Sequence, residues 1–144
     1  VVSWFKKLYG DGYYLEVQRF PELERTRHLN PLLAELSSVC GVPLVATADV
    51  HHPLPEQNKI REVLHAALRG STVDKVAAAW EYNIPGAYPI SDEEVDTALR
   101  GTGLTADESW SAILSSQEIG ERCQVTLPKS ELVRYPGTAK ELTW

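Results

Sequence analysis

The chain has 144 residues, about one domain's worth at roughly 150 residues per domain, and its 43% hydrophobic and 24% charged content is that of an ordinary soluble globular protein. No stretch approaches the roughly 18 uninterrupted apolar residues of a membrane span, and no basic opening followed by an apolar run marks a signal peptide. With 14 Lys and Arg against 20 Asp and Glu, the net charge of -6 excludes a module that grips DNA through clustered cations, so this stretch alone is not expected to bind DNA strongly.

The opening Val1-Val2-Ser3-Trp4 carries no helix start and no turn signal, and the chain has no methionine, so it reads as a piece excised from a longer polypeptide. Gly10-Asp11-Gly12 is turn-like, and the aromatic and branched run Tyr13–Val17 after it predicts a strand. Polar Pro21–His28 reads as a loop. Asn30 before Pro31 has the form of an N-cap followed by proline at the first helical position, where the missing N–H costs nothing. Leu32, Leu33, Leu36, Val39 and Cys40 then recur at helical spacing, and Gly41 closes the helix. Val42–Ala48 is a short apolar run without alternation, as expected of a strand covered on both faces. Strand, helix and strand in this order predict a parallel unit in an α/β architecture.

A second helix follows Pro53 and Pro55, with Ile60, Val63, Leu64, Ala67 and Leu68 as its apolar stripe, Glu56, Lys59, Glu62 and Arg69 mostly toward water, and Gly70 at its end. Ser71–Asp74 starts a short helix reaching Trp80, and Asn83–Pro89 reads as a loop. Ser91 with Glu94 and Thr105 with Glu108 are capping-box signatures. They open helices to about Leu99 and about Arg122, the second with Trp110, Ile113, Leu114 and Gln117 on one face. Gly101-Thr102-Gly103 turns between them. Val125 and Leu127 fit a short extended segment, and 128–144 reads as a linker.

Cys40 and Cys123 lie far apart without the close Cys or His spacing of a zinc site, and are expected to be small buried hydrophobes in a reducing, cytoplasmic setting. No phosphate-binding glycine loop and no Ser/His/Asp arrangement is legible. The four tryptophans are too scattered to form a stacking platform for bases.

The informative constellation is Ala48-Asp49-Val50-His51-His52. Positions two apart on extended backbone point the same way, so Asp49 and His51 project together beyond the strand's C-terminal end, where parallel α/β folds place ligands. A carboxylate oxygen and an imidazole nitrogen are competent ligands for zinc or manganese. The same residues also suit a loop in which His51 packs and Asp49 accepts backbone hydrogen bonds. Two ligands do not complete a site, and neither His28 nor His65 is placed beside them. Glu16 could face inward as an acid or a supporting group; the favoured reading is a residue that alternates outward or pairs with a nearby Arg.

The run Tyr13-Tyr14-Leu15-Glu16-Val17-Gln18-Arg19 resembles the strand motif of bacterial DNA polymerase III alpha subunits, the C-family replicative polymerases. In the same order, Gly41–His51 resembles the family's "GLPLVATNDVHY" block, Ser91–Leu99 its "S-x-EEM" segment, and Ile119–Cys123 its "IAERC". Phe20 stands where the family usually has His, Ala48 where it has Asn, and His52 where it has an aromatic; 72–88 matches poorly.

The resemblance implies the C-terminal part of a polymerase and histidinol phosphatase (PHP) domain over 1–127, with 128–144 leading toward the polymerase core. The implied fold is part of a distorted β/α barrel followed by a mostly helical C-terminal region. It also implies that Asp49 and His51 are the late ligands of a zinc or manganese cluster whose other ligands would lie before Val1. Some relatives lose this histidine and keep the domain as structure only; here it is retained. The parent would be a DNA-directed DNA polymerase, possibly of an error-prone or phage-encoded subtype, working with magnesium. Its PHP region would remove 3′ nucleotides or act structurally, with DNA and other replisome subunits as the parent's partners. A free-standing PHP-type phosphoesterase and a non-catalytic replisome interaction module are the alternatives.

Overall fold

Extended backbone begins shortly after the glycine turn, in a computed structural model that describes residues 1–79, 84 and 86–129. Trp80, Asn83, Pro85 and most of the 128–144 linker lie outside the described residues. Strand β1 spans Leu15–Gln18, helix α2 Glu24–Cys40 and strand β2 Leu44–Thr47, preceded by helix α1 at Val2–Tyr9 and a single 3-10 turn over Gly10–Gly12. The two strands pair in parallel, with Leu15 opposite Leu44 and Gln18 opposite Thr47. The expected strand–helix–strand unit is therefore present. Among the described residues the sheet has only these two strands, so the barrel is not seen.

The start of α2 corrects the sequence reading. Residues 24–28 are helical, Asn30 is not an N-cap, and Pro31 lies inside the helix, where it removes one backbone donor. Packing outweighs that loss. Thr26, Asn30 and Ala34 recur every fourth residue and are all buried, so one stripe of α2 lies on the core from its second turn onward. Asn30, only 2% exposed, donates from Nδ2 to the Gln18 carbonyl (2.9 Å) and to Thr102 Oγ1 (2.8 Å). At the other end Gly41 adopts the left-handed conformation (φ 60°, ψ 39°), as its position predicts.

Helix α1 carried no start signal, and Val1 caps it without a side-chain hydrogen bond. Tertiary contacts hold it instead: Phe5 stacks on Tyr13 (5.6 Å between centroids), and the Lys6 ammonium donates to the Cys40 and Gly41 carbonyls (2.8 and 3.0 Å). Those carbonyls are the negative end of α2, so the cation meets the helix dipole as well as unpaired acceptors.

Only one face of the sheet is fully covered, against the expectation for β2. Leu15, Val17, Leu44 and Ala46 are buried with Ala34, Val42, Leu99, Leu104, Ala112 and Ile113. Burying a leucine such as Leu99 contributes about 1.5–3 kcal/mol. Glu16, Gln18, Val45 and Thr47 lie on the more open opposite face. Helix α6 (Ala106–Arg122) lies against β2, and it buries Ser109, Ala112, Ile113 and Ser115. Trp110 and Leu114 point outward instead, because the small residues are the ones that let helix and strand approach closely.

Both capping boxes form. Ser91 and Thr105 each accept from the backbone N–H three residues on, while Glu94 and Glu108 reach back, opening α5 (Asp92–Gly101) and α6. Between them Gly103 has φ 102°, and a side chain there would also meet Pro31 at 3.0 Å.

Helix α3 (Asn58–Leu68) follows a 3-10 turn over Pro55–Gln57 and packs on α4 (Val73–Ala79). Its apolar stripe faces outward: Ile60, Val63, Leu64 and Leu68 are exposed while Ala66 is buried. Periodicity correctly groups these residues on one side, but α3 touches the preceding turn and α4 rather than the central core; Asn58, Arg61, Glu62 and His65 are half-buried, while Glu56, Lys59 and Arg69 face water as expected. Cys40 is half-buried and Cys123 exposed, both as free thiols, so Cys123 is not the core residue expected. Val125 and Leu127 are exposed and belong to no strand.

Candidate functional site

Past Thr47 the backbone leaves the sheet. Asp49 has φ 42°, the one non-glycine residue with positive φ among the described residues. Aspartate tolerates this region better than most side chains, at a cost of order 1–3 kcal/mol. The kink replaces the simple alternation read from the sequence, yet it brings the expected pair together: His51 Nε2 lies 3.0 Å from Asp49 Oδ1. The side chains are 40% and 46% exposed respectively, so both remain open to solvent.

The separation is that of a direct hydrogen-bonded ion pair, and it is also within the range of two ligands on one divalent cation. Two donors each about 2.0–2.1 Å from one ion lie about 2.9 Å apart at a right angle and about 3.3 Å apart in a tetrahedron. Among the described residues, however, no three His, Cys, Asp or Glu side chains gather as a metal centre needs. Asp49 and His51 form an exposed ion pair that no further His, Cys, Asp or Glu ligand set joins among the described residues.

The loop carrying them is fixed from behind. The His51 and His52 amides donate to the Ala87 carbonyl (2.9 and 3.3 Å), and buried Arg19 donates from Nη2 to the Tyr88 carbonyl. Burial pulls the Arg19 guanidinium below its ordinary range, opposed by Tyr88, Glu22 and Glu94. His52 is buried beside Tyr88, its Nδ1 hydrogen-bonded to the Leu54 carbonyl at 2.8 Å. Arg61 lies within the field of Asp49, which partly offsets the lowering that burial imposes on its guanidinium. His28 sits in α2, not in a loop, and His65 sits in α3; neither joins Asp49 and His51.

Asp49 lines a cleft of about 280 Å³ whose polar lining also includes Glu16, Gln18, Arg25 and Asn30, while His51 lines a separate cleft with His52, Arg61 and His65. Glu16 is exposed, as the alternation predicts, but its partners are not arginines: Oε1 accepts from Thr47 Oγ1 (2.6 Å) and from Gln18 Nε2 (3.3 Å). The signal that could have placed it was the parallel register, which sets Glu16 and Gln18 beside Val45 and Thr47 on the face that leads to Asp49.

The chain is similar to DNA polymerase III subunit alpha. It is 25% identical to that protein from Helicobacter pylori (strain ATCC 700392 / 26695) over 134 residues, 27% identical to the Thermus aquaticus protein over 128, and 29% identical to the Escherichia coli (strain K12) protein over 137. These matches cover 93%, 89% and 94% of this chain but only 10%, 10% and 11% of the relatives, so it spans about a tenth of their length. No family model matches it, and no solved structure gives a significant match. No helix among the described residues is long and apolar enough to cross a membrane.

Proposed function

We propose that this chain is the C-terminal part of the PHP region of a C-family replicative polymerase, with residues 1–127 forming that region and 128–144 leading toward the polymerase core. Asp49 and His51 then supply two ligands to a zinc or manganese centre, and groups from elsewhere in the assembled protein supply the others. The parent would act in the cytoplasm with magnesium as a DNA-directed DNA polymerase, on DNA and beside other replisome subunits.

The observation that carries this reading is the Asp49–His51 pair, 3.0 Å apart at the C-terminal end of a parallel strand. It falls inside a match that covers about nine-tenths of the chain. A bound divalent cation would supply Lewis acidity for phosphoester hydrolysis, as a 3′-5′ exonuclease requires. The protein's own part is to hold the two donors, through the kink at Asp49 and the hydrogen bonds of the His51 and His52 amides to the Ala87 carbonyl. Calorimetric titration of zinc and manganese into the chain and into its Asp49→Ala/His51→Ala variant tests the reading. Weak binding by the parent chain, lost in the variant, is expected; identical behaviour of the two overturns it.

A second reading, a non-catalytic docking module of the same polymerase, draws on the outward apolar face of α3 at Ile60, Leu64 and Leu68. Retained partner binding in a full-length protein carrying Asp49→Ala/His51→Ala, lost on Leu64→Glu, would favour it.

A further inference from the structure

Two helices of this chain keep apolar side chains in solvent, and the charges at the ends of their apolar faces are opposite. On α3, Ile60, Leu64 and Leu68 recur at every fourth residue and are all exposed. Lys59 and Arg69, exposed as well, stand next to the two ends of that stripe. Of the acids nearby, Glu62 is half-buried on the opposite side of the helix, and Glu56 belongs to the turn before it. The stripe walls a cleft of about 480 Å³ that no carboxylate lines among the described residues. On α6, Trp110 and Leu114 are the exposed apolar pair. Asp107, one turn before Trp110, and Glu118, one turn after Leu114, are exposed too. Glu118 also meets Arg122 of its own helix at 3.7 Å, an exposed pair that contributes little.

We infer that the outer face of α3 receives α6 of a second copy of this chain. The inference depends neither on the ligand assignment of Asp49 and His51 nor on the polymerase reading. At 1.5 Å per residue, Lys59 and Arg69 stand about 15 Å apart along α3, and Asp107 and Glu118 about 16 Å apart along α6. Laid side by side, the two helices set an acid beside each cation, with Trp110 and Leu114 between Ile60, Leu64 and Leu68. Trp110 is the kind of side chain that anchors protein interfaces, large and rigid with one N–H to donate. A contact of α3 with itself is disfavoured, because an antiparallel pair centred on Leu64 sets Lys59 of each copy against Arg69 of the other. The apolar area on offer is roughly a few hundred Å², below the ~800 Å² per partner of a stable interface, so the association is weak.

The test is sedimentation equilibrium of the 144-residue chain up to about 1 mM, beside its Leu64→Glu, Leu114→Glu and Lys59→Glu/Arg69→Glu variants. Every altered side chain is exposed, so thermal melting at low concentration should match the parent. The expected result is a weight-average mass that rises with concentration in the parent. Association should be roughly tenfold weaker in each leucine variant and roughly fivefold weaker in the charge variant. An equimolar mixture of Leu64→Glu and Leu114→Glu should associate again, since the first keeps an intact α6 face and the second an intact α3 face. Association of Leu114→Glu at the parent's strength, or a mixture no stronger than either variant alone, overturns α6 as the occupant. Association of Leu64→Glu at the parent's strength overturns α3 as the receiving face. Unchanged association in Lys59→Glu/Arg69→Glu overturns the matching of charges, and a parent chain still monomeric at about 1 mM overturns the whole inference.

Discussion

Replacing Asn30 with aspartate separates two roles that a sequence motif makes look identical. At an N-cap, Asn and Asp are nearly equivalent, so Asn30→Asp would change stability by only a few tenths of a kcal/mol. In the folded chain Asn30 is 2% exposed and acts as a donor to the Gln18 carbonyl and Thr102 Oγ1. A carboxylate there sets an acceptor against an acceptor at the Gln18 carbonyl. The Thr102 hydroxyl cannot repair this without giving up its own bond to the Leu99 carbonyl, 2.6 Å long. Each buried group left without a partner costs about 1–3 kcal/mol, and an ionised carboxylate more, giving about 3–5 kcal/mol in all. That is a large part of the ~5–15 kcal/mol that holds a typical domain together. Burial raises the introduced carboxyl's pKa above its unfolded value, so the penalty is complete at neutral pH. It shrinks as pH falls through the folded pKa, because the protonated acid can donate to Gln18 again. Urea denaturation followed by circular dichroism at pH 7 and at about pH 5 measures both effects, with Asn30→Ala as the uncharged comparison. A change within about 0.5 kcal/mol at pH 7 would refute the buried-donor role.

The same measurement on Thr105→Ala should show a loss of about 1 kcal/mol, since the capping box of α6 is exposed and complete; no loss would mean that the box forms without contributing. Leu68→Glu on the 86%-exposed outer face of α3 should change stability by less than about 0.5 kcal/mol. Val17→Ala in the fully buried core should cost about 2–3 kcal/mol. A reversal of that order would show that the apolar face of α3 is covered. Burial, reinforced by Arg69 and Arg61, holds the His65 imidazole below its ordinary range. Its contribution is therefore whole above the unfolded value of about 6.5 and is lost as pH falls from there through the lower folded value. His65→Gln should flatten the melting temperature between about pH 7.5 and pH 5, and an unchanged slope would contradict this.

Features whose cause is local were legible in the sequence. Ser91–Glu94 and Thr105–Glu108 open helices because donor and acceptor lie within four residues, and Gly41 closes α2 because only backbone conformation is at issue. The parallel pairing of β1 and β2 followed from the order of elements. Asn30-Pro31 misled because tertiary burial of Thr26 and Asn30 pulled the helix start back to Glu24, and nothing local to the motif records what Asn30 will touch. For α3, periodicity establishes that Ile60, Leu64 and Leu68 share a face, but which face meets the protein depends on neighbours distant in sequence. Asp49 and His51 were legible as a pair, while the kink that joins them depends on the adjoining loop.

The attachment of α1 has a consequence for how the molecule opens. The helix has no fully buried residue of its own, and a single ammonium group joins it to the end of α2. Its release would free Val2 from the edge of the core and Phe5 from Tyr13, and leave the buried cluster of β1, β2, α5 and α6 largely intact. Amide exchange in Val2–Tyr9 should therefore run well ahead of exchange in β1, and Lys6→Gln should speed it without lowering global stability to match. Exchange ordered in that way would make the amino-terminal turns a detachable flap hinged at Gly10–Gly12, with cooperative structure beginning at the tyrosines beyond.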